Sequence, residues 1–457
     1  MTEISASAAG SQTPAPHAPD KALHAKPRII PRSDHPISRK DISEQALKVL
    51  YRLDKAGYQA YLVGGGVRDL LLGRMPKDFD VATDALPEQV RELFRNCRLI
   101  GRRFRLAHVH FGRDVIEVAT FRASGTEEAE DQDAQRVVES GRIIRDNVYG
   151  QLDDDVWRRD FTVNALYYNI RDFSVVDYVG GTEDIAAGRL RLIGDPDTRL
   201  REDPVRMLRA VRFAAKLGFE IDPATAAPFA ELAPLLGEIS PARLFDEALK
   251  LFHGGAALAT FEALGHYGLL RQLFPQTDAT LADPAAEVAR RMLPLAMANT
   301  DERVAAGKPV NPAFLLAVLL WQPMRTRMQT LIEEGVAAYD AERQAADEVI
   351  ARQLERVAVP RRFTQISRDI WSMQSRLERP MRRHVQRMAS HEKFRAAYDF
   401  LLLRAAAGDD VEDAANWWRE FEQTDDDGRA ALVDRLANKR RAPRRRRRKP
   451  AGGSANA

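Results

Sequence analysis

Two aspartates one residue apart sit in a short apolar run, DFDVAT at 78–83, shortly after a glycine-rich turn in LVGGGVRDLLLG at 62–73. In an extended strand, residues i and i+2 project to the same face. Asp78 and Asp80 therefore point together, while Phe79 and Val81 turn to the other side, toward a core. Carboxylates held that close repel unless a cation or a proton lies between them. Glu117, in VIEVATF, has the same alternating context and would join the pair if its strand is a neighbour. Three convergent carboxylates suit Mg²⁺, a hard ion that takes one or two carboxylates plus substrate phosphates. Two such ions about 3.5–4 Å apart can activate an attacking oxygen and stabilise a leaving one.

The glycines fit the same chemistry. Gly64, Gly65 and Gly66 let backbone N–H groups approach an anion closely at a helix start. Arg68 can add a forked contact to phosphate oxygens. A D-x-D pair alone is common on surfaces, and a glycine triplet alone is usually a plain turn; their succession between strand-like segments is the informative feature. The G-K-[ST] ending of a P-loop is absent, and so is a Rossmann fingerprint.

The rest of the chain bounds the setting. Its 457 residues exceed one ordinary domain, and 45% hydrophobic with 30% charged residues describes a globular protein with a substantial core. A single cysteine, Cys97, excludes an internal disulfide and fits a reducing compartment. The longest apolar run, FLLAVLLW at 314–321, falls short of the roughly 20 residues of a membrane span, and the N-terminus lacks a secretory apolar segment. The expectation is a cytoplasmic protein. Its net charge of +3 is uneven: KRRAPRRRRRK at 439–449 holds nine basic side chains, and without them the remainder stands at −6. A concentrated basic arm on a mildly acidic body is the footprint of polyanion binding and points to nucleic acid, with a solubilising or targeting tail as the alternative.

Along the chain, residues 1–40 read as a flexible leader rich in Ala, Pro, Ser and His. A helix follows over 41–57, capped by Asp41 or Ser43 and ended by Gly57. YQAYLVGG and DFDVAT read as strands, LPEQVRELF as a helix with Pro87 in its first turn, and RFRLAHVHF and DVIEVATFR as strands joined at Gly112–Arg113. The acidic stretch 124–140 reads as a mobile loop. A helix over VWRRDFTVNALYY and a strand at FSVVDYVG complete a head near 178, after which the pattern is almost wholly helical.

The stretch 62–83 resembles the first motif of the class II nucleotidyltransferases of the DNA polymerase β superfamily, which comprise the bacterial poly(A) polymerases and the CCA-adding tRNA nucleotidyltransferases. RRDFTVNALYYN at 158–169 resembles their ribose-reading motif, DYVGGTEDI at 177–185 their flexible head–neck segment, and EDPVRMLRAVRFAAKLGF at 202–219 their base-recognition helix. The resemblance covers about residues 44–260. It implies an α+β fold: a polymerase β-like head with a mixed sheet over 41–178, a helical neck over 179–245, a helical RNA-binding body over 246–435, and a basic tail over 436–457. It assigns Asp78, Asp80 and Glu117 to metal, and Asp78, Asp80 and Asp160 to the active centre. It assigns Gly65, Gly66, Arg68, Arg159, Asn164, Asp203 and Arg206 to ATP, with Asp203 and Arg206 on one helix face reading the base edge. Arg209 and Arg212 continue that face and could either reach phosphate or pair with the body.

LIGRRFRLAHVHF at 99–111 separates the two branches, because it resembles the stretch that marks the bacterial poly(A) polymerases. Gly101, Arg102, Arg103, Phe104, Arg105, Leu106, His108 and His110 carry the match. That branch implies template-independent addition of AMP from ATP to RNA 3′ ends, release of pyrophosphate, and a part in RNA processing and decay. Two Mg²⁺ ions, with Mn²⁺ as a substitute, would be the cofactors. RNA would be held by Arg102, Arg103 and Arg105 and by Arg444, Arg445, Arg446, Arg447 and Arg448. A monomer is expected, with an RNA chaperone or RNA-decay protein as partner. A CCA-adding enzyme and an inactive RNA-binding adaptor are the alternatives.

Overall fold

The computed structural model describes residues 26–101, 105–123, 136–139, 142–146 and 149–439. The chain divides into two compact units, one of residues 1–187 with 191–194, the other of 188–190 with 195–457.

The first unit is built on an eight-stranded mixed sheet. Its strands are β1 (Arg28–Ile30), β2 (Ala60–Val63), β3 (Asp80–Thr83), β4 (Cys97–Ile100), β5 (Leu106–Phe111), β6 (Asp114–Thr120), β9 (Leu166–Asn169) and β10 (Val175–Asp177). Across the sheet they run β1-β10-β9-β2-β3-β6-β5-β4. All neighbours are antiparallel except β3 and β6, which are parallel. A separate hairpin pairs β7 (Arg136–Glu139) with β8 (Arg142–Asp146).

Helix α1 (Glu44–Lys55) covers one face. Ser43 Oγ accepts the Ala46 N–H at 3.2 Å, an N-cap that satisfies one of the orphan donors of the first turn. Ala46, Val49, Leu50 and Leu53, recurring at helical spacing, bury against Leu62, Val81, Val109 and Ile116. The second face carries Val63, Ala82, Phe121, Val156, Ala165, Tyr167 and Val176. A strand with apolar contacts on both faces loses the clean polar alternation of a half-exposed one, as β2 and β9 do here.

Four readings of local structure change. The helix expected over VWRRDFTVNALYY is three elements: α4 (Leu152–Arg158), a short 3₁₀ turn (Thr162–Asn164) and β9. Arg159 leaves the helix with ψ 164°, and Phe161, fully buried, pairs across to Leu192. The chain turns there to bury Phe161, Tyr167 and Tyr168 in the sheet, a tertiary demand that overrides helical periodicity. Strand β4 had no counterpart in the sequence reading, because CRLI is short and forms the sheet edge. Order in the leader begins before residue 41, since β1 pairs with β10; residues 1–25 lie outside the described residues. Of the stretch read as a mobile loop, 136–139 is strand β7, whereas 124–135 and 140 lie outside the described residues.

The segment after β10 is pinned rather than loose. The Asp177 carboxylate accepts the backbone N–H groups of Val179, Gly180, Gly181 and Thr182 and the Thr182 hydroxyl, at 2.7–3.1 Å. A side chain at Gly181 would put its Cβ 2.3 Å from the Thr162 carbonyl oxygen, so helix α5 (Gly181–Ala187) packs there only through glycine.

Among its described residues the second unit is helical apart from a two-residue parallel ladder of β11 (Arg189–Leu190) with β12 (Glu220–Ile221). Helices α6 (Pro196–Glu202) and α7 (Val205–Leu217) open it. α7 ends at Gly218, whose φ of 72° is the left-handed C-terminal stop that glycine adopts without strain. Further along, Trp371, Phe400 and Trp418 are among the largest fully buried side chains.

Candidate active site

The parallel register sets Asp80 directly against Glu117, and the antiparallel register sets Glu117 against His108. Laterally paired residues project to the same face of a sheet. Asp80, Glu117 and His108 therefore form a row across β3, β6 and β5, on the face that carries Val63 and Tyr167. Phe79 and Val81 are buried on the other face, as the alternation requires. Asp78 precedes the first residue of β3.

Asp80 is open to solvent along one side, but protein surrounds it on the others. Its carboxyl is pushed up to about 6, first by that partial burial and then by Glu117, with Asp78 adding and Arg159 opposing. Glu117 and Asp78 are thus each near enough to Asp80 to repel its charge. Among the described residues no three His, Cys, Asp or Glu side chains close around a single point. The donor set is nonetheless hard oxygen, anionic and strained by its own charge, which is the chemistry a divalent cation relieves.

The glycine turn lies beside this row. Gly64 has φ 72° and ψ −136°, a conformation for which glycine alone is well suited. It caps α2 (Gly65–Leu71), and Gly66 packs against the backbone of Asp78, whose carbonyl oxygen lies 3.5 Å from where a Cβ would stand. A Cβ at Gly64 would stand 3.5 Å from Arg159 Nη1. Arg159 is thus aimed at the turn.

What aims it is a buried cluster absent from the sequence reading. Arg159 Nε donates to the Tyr167 hydroxyl at 2.7 Å, Nη2 donates to Asp155 Oδ2 at 2.9 Å, and the Tyr167 hydroxyl donates to the same Oδ2 at 2.7 Å. Burial works against the Arg159 charge, but Tyr167 and Asp155 outweigh it and hold the guanidinium above its ordinary value. Asp155 on α4 lies four residues before Arg159, which caps that helix; Tyr167 comes from β9. Arg122, bridged to Tyr149, stands in the same electrostatic neighbourhood, and burial lowers its pKa.

Arg68 is placed differently from a phosphate ligand on the surface. It is 3% exposed, with Nη1 donating to Asn164 Oδ1 at 2.6 Å and both Nε and Nη2 donating to Asp69 Oδ1 at 2.9 and 2.7 Å. Asn164 Nδ2 donates in turn to Asp160 Oδ1 at 3.3 Å, which also accepts the Phe161 N–H at 2.8 Å. Arg68, Asn164 and Asp160 are therefore one hydrogen-bonded chain joining the glycine-turn helix to the RRDFTVN segment.

In the second unit, Asp203 is not on a helix face. It ends α6 in an extended conformation, with φ −148°, and α7 starts two residues later because Pro204 cannot continue α6's hydrogen bonding. Asp203 Oδ2 accepts from Arg243 Nη2 at 2.7 Å, and Arg206 Nη1 donates to Glu202 Oε2 at 3.0 Å and to the Arg199 carbonyl. Asp203 and Arg206 are held by separate partners: Glu202 stands four residues before Arg206 within the same motif, whereas Arg243 comes from 40 residues beyond Asp203. Arg209 and Arg212 lie against the Phe213 ring, 5.3 and 4.4 Å from its centroid. Arg105 pairs with Glu88 at 2.8 Å. Arg102, Arg103 and Arg444–Arg448 lie outside the described residues.

Comparison with known proteins gives the family. Residues 60–191 match the family model of the poly A polymerase head domain, 218–281 that of a probable RNA and SrmB-binding site of polymerase A, and 334–451 that of the polymerase A arginine-rich C-terminus. Poly(A) polymerase I of Salmonella typhi is 51% identical over 397 residues, 86% of this chain and 85% of that one. The chain belongs to the bacterial poly(A) polymerase family. The poly(A) polymerase of Haemophilus influenzae is 48% identical over 86% of the chain and 88% of its own.

The polymerase is accordingly a polynucleotide adenylyltransferase, and the CCA-adding enzymes are its more distant relatives. That of Geobacillus kaustophilus is 39% identical, over 50% of this chain and 54% of its own. The Bacillus stearothermophilus CCA-adding enzyme in complex with CTP superposes with a TM-score of 0.55 at 26% identity, covering 86% of this chain and 82% of that one. The Thermotoga maritima CCA-adding enzyme complexed with tRNA gives 0.55 at 20% identity, over 90% and 86%, and shares the fold. Among the described residues no helix is long and apolar enough to cross a membrane.

Proposed function

We propose that this adenylyltransferase extends RNA 3′ ends with ATP through the carboxylate row of its head. The observation that carries the proposal is the lateral pairing of Asp80 with Glu117, with the Asp80 carboxyl raised to about 6 beside it. Asp78, Asp80 and Glu117 are the residues that would hold Mg²⁺, or Mn²⁺ in its place. When bound, such ions neutralise triphosphate charge and favour ionisation of the attacking hydroxyl.

The chain's own groups set the geometry of the transfer. The RNA 3′-hydroxyl releases its proton to solvent as its oxygen bonds to the α-phosphorus of ATP, the bond from that phosphorus to the oxygen bridging to the β-phosphate breaks, and pyrophosphate leaves. Arg159, clamped by Asp155 and Tyr167 beside Gly64, offers a fixed cation to the triphosphate, and a preorganised charge needs no rearrangement as the reaction proceeds. Asp160 and Asn164 offer an oxygen and an amide to the ribose. Arg68 orients Asn164 from behind. Asp203 and Arg206 read the adenine edge, each prefixed by its own ion-pair partner. Arg102, Arg103, Arg105 and the basic tail bind RNA phosphates without regard to sequence. The setting that fits is cytoplasmic, with the protein acting as a monomer alongside RNA-decay proteins.

The test is primer extension on a labelled generic RNA and on a tRNA lacking its CCA end, with Mg²⁺ and with ATP alone, CTP alone or both together. A long ladder with ATP alone, lost in Asp80→Ala, is expected. Extension that stops after three nucleotides on the tRNA and requires CTP would overturn the proposal.

A further inference from the structure

The histidines of LAHVHF are the part of the marked stretch to which the reaction above gives no task. His108 lies on β5 directly across from Glu117, so its side chain is the next in the row after Asp80 and Glu117. Its Nε2 is sealed from solvent and makes no hydrogen bond that meets normal geometry. Glu117 Oε2 lies 3.4 Å away. A buried ring nitrogen left unpaired carries a desolvation penalty, and a small swing of the Glu117 carboxylate removes it. Such a swing is available, because the Glu117 side chain is 42% exposed while the His108 ring, at 24%, is the more enclosed of the two. The ring is therefore the fixed partner and the carboxylate the adjustable one.

We infer that His108 is a positioning residue for Glu117: it donates Nε2–H to Oε2 and leaves Oε1 directed along the row toward Asp80. Carboxylates that ligate metals are commonly held by such an outer hydrogen bond, and losing the outer partner typically costs 10–100-fold in metal affinity. His108 needs no charge for this. A neutral imidazole protonated on Nε2 suffices, and His110, two residues along the same face with its ring centroid 6.3 Å away, does not replace it. The inference rests on Glu117 being a metal ligand, as proposed above.

The experiment measures Mn²⁺ binding to the full-length protein by electron paramagnetic resonance, without ATP or RNA, for wild type, His108→Leu, His108→Gln, Glu117→Gln and the His108→Leu/Glu117→Gln double variant. Glutamine can place an amide donor near the position of Nε2. The expected result is an affinity about tenfold weaker in His108→Leu, recovery to within about threefold in His108→Gln, and no further loss when His108→Leu is added to Glu117→Gln. Unchanged affinity in His108→Leu, or equal losses in the leucine and glutamine variants, would overturn the positioning role. So would losses that add in the double variant. Glu117→Gln with wild-type affinity would instead remove Glu117 from the metal set and the inference with it. Thermal melts of each variant identify misfolding, and His108→Gln keeps the test decisive if His108→Leu does not fold.

Discussion

Asp80 and Glu117 face each other across the one parallel junction of the head sheet, β3 against β6. No linear motif joins them, and their mutual repulsion helps to lift the Asp80 carboxyl to about 6.

That relationship gives a stability prediction with a defined sign. A carboxyl whose folded pKa is raised disfavours the folded state once ionised, so the cost is absent near pH 4, grows as pH rises toward 6, and is constant above it. Asp80→Asn should stabilise the metal-free protein at pH 7.5 by about 1 kcal/mol, a figure already discounted for the accessibility of the group, and by nothing near pH 4. Mg²⁺ should raise the Tm of wild type and not of the variant, and a chelator should stop extension. Calorimetry across pH, with and without Mg²⁺, checks both halves.

The Asp155–Arg159–Tyr167 cluster should separate support from chemistry. Asp155→Ala leaves the clamped guanidinium without its carboxylate and should destabilise by about 3–5 kcal/mol. Tyr167→Phe removes one hydroxyl, should cost about 1–2 kcal/mol, and should lower kcat about tenfold through a less fixed Arg159. Denaturant melts and single-turnover extension distinguish the two variants.

Arg68→Lys should behave almost as poorly as Arg68→Ala. A lysine cannot fork to Asn164 and Asp69 at once. The expected result is an ATP KM raised about tenfold with the RNA KM unchanged, measured by steady-state extension.

Arg243→Ala frees Asp203 Oδ2 from its fixed partner. Selection of ATP over CTP should weaken about tenfold, in the range of one lost paired contact, as read from kcat/KM for each nucleotide on the same RNA. Retained selectivity would show that Asp203 is oriented by other means.

Removing residues 436–457 should flatten the salt dependence of RNA binding. Nine tail cations set an upper bound of roughly −6 on their share of the log–log slope. Filter-binding titrations between 50 and 200 mM salt measure the difference.

The sequence by itself determined the site's chemical vocabulary. Alternation in DFDVAT turned Phe79 and Val81 inward, the glycine triplet marked a turn where the backbone can approach an anion, and the charge asymmetry singled out the tail. Those features are local: each depends on the period of a strand, the steric freedom of one residue or a simple count of charges. Only the tertiary structure decided the pairings. Glu117 reached Asp80 through sheet order, Tyr167 reached Arg159 from a strand read beforehand as helix, and Arg243 reached Asp203 from a different helix. Arg68, read as a phosphate ligand, was drawn inward to Asn164, because a buried guanidinium demands acceptors and the fold supplied two. Contacts between distant segments are fixed by how the whole chain buries its apolar surface, and no short window of residues carries that information.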